Sequence, residues 1–88
     1  MAKSIILDPR AQAELKYWHQ HEPQLFEKAD QLIQNILQMP FTGLGKPEPL
    51  KYSRRGLWSR RITQEHRLIY SVQNETIHLL SCKGHYTN

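Results

Sequence analysis

A chain of 88 residues leaves room for one domain. Its 39% hydrophobic and 23% charged residues exclude wholesale disorder, and no apolar run approaches the ~20 residues of a membrane span. The net charge is +4, divided unevenly: residues 1–48 carry five basic against six acidic side chains, and residues 49–88 carry seven against two.

A basic C-terminal half suits a polyanion such as RNA, although a solvated basic surface explains charge alone equally well. The single cysteine, Cys82, cannot build a disulfide framework or a Cys-rich zinc site. A lone thiol fits a reducing compartment. The opening residues are too short in apolar character for a signal peptide, so the expected location is the cytoplasm.

In chain order, Ser4-Ile5-Ile6-Leu7 is a short apolar run that reads as a strand. Asp8-Pro9 then starts a helix, with aspartate as the cap and proline at the first helical position. Ala11, Leu15 and Trp18 share one face of that helix. Pro23 opens a second helix, whose stripe of Leu25, Ala29, Leu32 and Ile36 is widened by Phe26, Ile33 and Leu37. The short link at His21-Glu22 makes the two an antiparallel hairpin. Pro40 ends the second helix, and residues 40–49, with three prolines and two glycines, are expected to be irregular.

Beyond them lie three strand-like runs, Leu57–Thr63, Arg67–Val72 and Thr76–Cys82, separated by three-residue breaks that suit hairpin turns. The order predicts an α+β domain over residues 1–88, with two helices on one face of a small sheet. Ile62, Leu68, Tyr70, Val72 and Leu80 are the expected packed face. Alternation then sends Arg61 and Arg67 to the face left open, unless a bulge inverts it.

No metal motif, phosphate-binding glycine loop or serine elbow is present, so no cofactor is expected. A carboxylate on a stiff loop, a basic sheet and a late histidine remain. These suffice in principle to cleave RNA. A base takes the ribose 2′ proton, an acid protonates the leaving 5′ oxygen, and fixed cations stabilise the phosphorane between them. Glu48, between Pro47 and Pro49, is the candidate base and His85 the candidate acid. Arg67 is the bidentate phosphate clamp. Lys51, Arg61 and Arg60 add positive field, while Trp58 and Tyr86 are candidates for stacking on bases. Each also has a plain reading as a solvated loop acid, a surface histidine, an exposed strand edge or a core aromatic.

The stretch Pro40-Phe41-Thr42-Gly43-Leu44-Gly45-Lys46-Pro47-Glu48-Pro49-Leu50-Lys51 resembles the signature loop of the YoeB/Txe group of RelE-like toxins. Gly56–Thr63, Glu65–Tyr70 and the ending Cys82-Lys83-Gly84-His85-Tyr86 extend the resemblance. It implies the toxin of a bacterial type II toxin–antitoxin system, a metal-free endoribonuclease that cleaves mRNA in the ribosomal A site. It also implies a cognate antitoxin of the YefM type and a possible toxin homodimer. By position, Glu48 matches the general base, His85 the general acid and Arg67 the phosphate stabiliser, with Lys51, Arg61 and Tyr86 in support. Gly84 departs from relatives that carry an aromatic residue before the histidine. The alternatives are a non-enzymatic RNA- or ribosome-binding inhibitor of translation and a gyrase-directed toxin on the same scaffold.

Overall fold

The computed structural model describes residues 2, 4–51 and 56–84. Strand β1 spans Ser4–Leu7, helix α1 Pro9–His21 and helix α2 Pro23–Gln38. They are followed by β2 at Glu48–Pro49, β3 at Trp58–Arg61, β4 at Arg67–Gln73 and β5 at Thr76–Ser81. The five strands form one sheet in the order β1-β5-β4-β3-β2. β1 runs parallel to β5, and the remaining neighbours are antiparallel.

Local chemistry sets the helix ends. The Asp8 carboxylate accepts from the Arg10 backbone N–H at 2.9 Å, with Pro9 at the first helical position. A single residue, Glu22, turns α1 into α2, and its N–H bonds the Trp18 carbonyl at 2.8 Å. Ala11, Leu15 and Trp18 of α1 pack with Ala29, Leu32, Ile33 and Ile36 of α2. Against them lie Ile62, Leu68, Tyr70, Ile77 and Leu79 from the sheet. Both helices therefore cover the same face.

Three features depart from the sequence reading. Glu48 and Pro49 are not irregular: they form a two-residue edge strand, where proline is tolerated because its missing N–H faces no partner. Leu80 does not join the main core. Ile69 pairs with Ser81 while Tyr70 pairs with Leu79, so Leu80 is the extra residue of a β-bulge. Alternation after the inward Leu79 turns Leu80 to the far face, where it packs on a second apolar cluster of Leu50, Leu57 and Ile69, and the bulge then returns Cys82 to the core. The open face is thus partly hydrophobic, which alternation of charged residues alone did not reveal.

Between β4 and β5, Asn74 and Glu75 both have positive φ, 51° and 65°, the pattern of a two-residue type I′ hairpin turn. Among the described residues, no helix is long and apolar enough to cross a membrane.

Candidate functional site

The open face collects the charged residues through strand register. Directly paired residues of antiparallel strands project to the same side. Glu48 pairs with Ser59, Ser59 with Ile69, and Arg61 with Arg67. Ser59 and Arg61 are two residues apart on β3 and share a face. Glu48, Arg61 and Arg67 therefore stand on one surface, beside the apolar cluster of Leu50, Leu57 and Ile69. From strand spacing and rise, the Glu48 and Arg67 Cα atoms lie on the order of 10 Å apart, within reach of two long side chains that flank one phosphate. Glu48 and Arg61 are exposed and Arg67 is half-buried. Lys51 is also exposed, one residue past Leu50, whose N–H bonds the Leu57 carbonyl at 2.9 Å and closes the β2–β3 hairpin.

The C-terminal strand is led towards this surface. The Glu14 carboxylate accepts from the backbone N–H groups of Cys82 (2.9 Å) and Lys83 (3.2 Å). The Gly84 N–H then donates to His66 Nδ1 at 2.8 Å, and the Gly84 carbonyl accepts from the Arg67 N–H at 3.0 Å. Gly84 has φ 92°, a conformation that costs glycine nothing and other residues strain. Its departure from an aromatic residue thus coincides with a backbone that glycine suits. His85 and Tyr86 lie outside the described residues.

Two expected RNA contacts are corrected. Arg60 is fully buried, at 0% exposure. Parity on β3 sends it to the helix side, between Trp58 and Ile62. There its guanidinium is saturated by Asn35 Oδ1 and by the carbonyls of Met39, Thr42 (2.8 Å) and Leu44 (3.0 Å), with Nε on the Tyr70 hydroxyl at 3.1 Å. Nothing is left to offer RNA. Trp58 also faces away from Glu48; it is half-buried against the main core, with its ring centroid 5.0 Å from that of Phe41.

The sequence reading puts Tyr70 in the packed face, where it lies, but misses the hub it belongs to and the partner Asn35. Asn35 sits beside the apolar stripe of α2, and an amide there was the available signal. Burial pushes the Tyr70 hydroxyl above its usual pKa, partly offset by the hydrogen bond and charge of Arg60. The Tyr70 hydroxyl donates in turn to the Pro40 carbonyl at 2.8 Å. Arg60 and Tyr70 together fasten the first part of the loop that leads into Glu48, at residues 39–44. The Arg61 N–H adds a bond to the Gly45 carbonyl at 2.7 Å.

Among the described residues, no group of three or more His, Cys, Asp or Glu side chains is placed to hold a metal ion.

Residues 7–86 match the model of the YoeB-like toxin of bacterial type II toxin–antitoxin systems. The chain belongs to this YoeB-like toxin family. Toxin YoeB of Escherichia coli strain K12 is 44% identical over 70 residues, covering 80% of this chain and 83% of that one. The YoeB dimer from Staphylococcus aureus superposes with a TM-score of 0.88 at 38% identity, over 98% of this chain and 100% of that one. The heterotetrameric YoeB–YefM toxin–antitoxin complex from the same organism gives 0.85 at 38% identity, over 98% and 99%. The sheet with two helices on one face is thus the YoeB fold, and Glu48, Arg61 and Arg67 lie on its uncovered surface.

Proposed function

We propose that this YoeB-like toxin is a metal-free, ribosome-dependent endoribonuclease that cuts mRNA in the ribosomal A site. The observation that carries the reading is the gathering of Glu48, Arg61 and Arg67 on one open sheet face, with the chain led by Gly84 to the backbone of Arg67. Glu48 takes the proton of the ribose 2′-OH. The 2′ oxygen attacks the adjacent phosphorus, and the bond to the 5′ oxygen breaks. Arg67, with Arg61 and Lys51, stabilises the added negative charge, because fixed cations need no reorganisation as that charge develops. His85, the residue after Gly84, protonates the leaving 5′ oxygen. Tyr86 supports the site by stacking on a base.

Support for the partner comes from charge and from the relatives. The open face offers cations beside an apolar cluster, which suits an acidic, disordered segment that folds on binding. The relative from Staphylococcus aureus is seen both with YefM and as a dimer. A YefM-type antitoxin is accordingly the proposed neutralising partner, and a homodimer the proposed free form. A cytoplasmic location follows from a ribosomal target.

The test is incubation of the purified protein with mRNA-programmed ribosomes and mapping of the cut ends. The expected products carry a 5′-hydroxyl and a 2′,3′-cyclic or 3′-phosphate, with the rate unchanged by a chelator. Translation blocked with intact mRNA would establish a binding inhibitor instead, and inhibited supercoiling a gyrase-directed toxin.

A further inference from the structure

A separate cleft of about 490 Å³ opens between α2, the loop before β2 and the turn after β3. Its size lies within the roughly 300–1,000 Å³ of small-molecule sites. Two exposed lysines line it, Lys28 from α2 and Lys46 from the loop, and Arg61 borders it at the end of β3, where its backbone bonds Gly45. No acidic residue lines it, and none of these cations is in a salt bridge among the described residues. The apolar floor is the side chain of Leu44, 56% exposed, backed by the buried Leu32 and Ile62. Gln31, Thr63 and Gln64 add amide and hydroxyl groups at the rim.

Gly45 keeps the cleft wall thin. A Cβ at this position would come within 2.9 Å of Leu32 Cδ2 and 3.1 Å of the Arg61 carbonyl.

A bare anion would use the cations and waste the apolar floor. A hydrophobic peptide would cover the lysine ammonium groups and leave them unmatched. An anionic ligand with a flat, sparsely polar body and hydrogen-bonding edges uses all three kinds of group, and a nucleotide has that chemistry. We propose that this cleft is a second RNA subsite, holding one nucleotide outside the scissile step, with its phosphate among the cations and its base over the apolar floor. The site rests on the nuclease reading for its RNA, and Arg61 joins it to the catalytic face. That nucleotide belongs either to the message or to ribosomal RNA.

The experiment titrates adenosine and uridine 5′-monophosphate into isotopically labelled full-length Glu48→Gln protein, followed by amide NMR shifts. Saturable shifts are expected at Gln31, Gly45, Thr63 and Gln64, with inorganic phosphate and unphosphorylated nucleosides binding more weakly. Lys28→Ala, an exposed helix position where alanine is well tolerated, should weaken nucleotide binding at least about fivefold, as expected for one lost charge-assisted contact. Absent shifts in the cleft, or equal affinity in Lys28→Ala, would overturn the proposal. So would an acidic peptide that shifts these amides where nucleotides do not.

Binding of Lys28→Ala to ribosomes then identifies the source. Weakened binding to vacant ribosomes points to ribosomal RNA, and weakened binding only to programmed ribosomes points to the message. Unchanged binding to both refutes an RNA role. If nucleotides bind the cleft but the wild-type protein leaves mRNA uncut, the nuclease reading fails and the nucleotide site stands.

Discussion

Arg60 donates from Nε to the Tyr70 hydroxyl at 3.1 Å, deep beneath the sheet, and Tyr70 passes the connection to the Pro40 carbonyl. The five acceptors around this guanidinium include no carboxylate. Its charge is held by the dipoles of carbonyls in residues 39–44 and by one amide. The same contact therefore ties the β3–β4 pair to the loop that delivers Glu48.

Arg60→Met should be among the most damaging single substitutions in the chain. It removes a buried, fully bonded cation and leaves the Met39, Thr42 and Leu44 carbonyls without donors. Each part-buried carbonyl left without its donor costs about 1–3 kcal/mol, so losing several consumes much of the 5–15 kcal/mol that holds a typical domain. Arg60→Lys should not rescue, because one ammonium cannot span acceptors arranged around a planar fork. Tyr70→Phe should lose roughly 1–3 kcal/mol. Urea denaturation of the three variants gives the ranking. An Arg60→Lys protein of wild-type stability would show that the fork geometry is unimportant.

The catalytic assignment separates activity from folding. Glu48 is exposed at an edge strand, so Glu48→Gln should leave the melting temperature within a few degrees of wild type. Cleavage on ribosomes should fall about 10²–10⁴-fold with loss of a proton-transfer group. Arg67→Lys keeps the charge but not the bidentate fork, and should cost roughly 10²–10³-fold in turnover. Single-turnover cleavage decides it. Wild-type rates for Glu48→Gln would remove Glu48 from the mechanism.

Much of this architecture is written in local patterns. The Asp8-Pro9 helix start, the stripe of α2 and the three late strands lie within a residue or two of where periodicity puts them. Other features depend on contacts between distant segments. The Glu48–Pro49 strand exists because β3 is there to pair with it, and nothing in a proline-rich stretch announces a partner ten residues away. The bulge at Leu80 is a register event between two strands and leaves no signal in either. Arg60 and Arg61 are adjacent and chemically alike, yet one is buried and the other solvated. Strand parity decides which, once Ile62 is recognised as the inward neighbour. The open-face placement of Arg61 and Arg67 could be derived in that way, whereas the hub around Arg60 needed the position of Asn35, twenty-five residues earlier.

The glycines of the loop and tail should differ in cost. Gly43 has φ 112°, and a Cβ there would stand 2.3 Å from Asn35 Oδ1. That oxygen accepts from the Leu44 N–H at 3.0 Å and from Arg60. Gly84 has φ 92° but open space around it. Gly84→Ala should therefore suffer backbone strain alone, about 1–3 kcal/mol, and Gly43→Ala that strain plus disruption of the Asn35 contacts. Denaturation midpoints should fall in that order. Equal losses would mean that Asn35 yields without consequence.

Alkaline stability should report the Cys82 thiol. Cys82 is fully buried, with the Glu14 carboxylate against its backbone N–H. Burial first, then the Glu14 charge and hydrogen bond, push the thiol up to about 12 from 9.0. The folded state keeps this proton where the unfolded chain has lost it. Stability is therefore complete below pH 9 and falls as pH rises from 9 towards 12, by at most about 1.4 kcal/mol per pH unit from this group. Tyr70, also shifted upwards by burial, adds to the same slope above its ordinary range. Urea titrations between pH 8 and 11 should show the decline, and Cys82→Ala should flatten its lower part. At pH 8 the native protein should resist thiol-specific alkylation and become reactive only on unfolding. Rapid labelling of the folded protein at that pH would mean that Cys82 is neither buried nor held neutral.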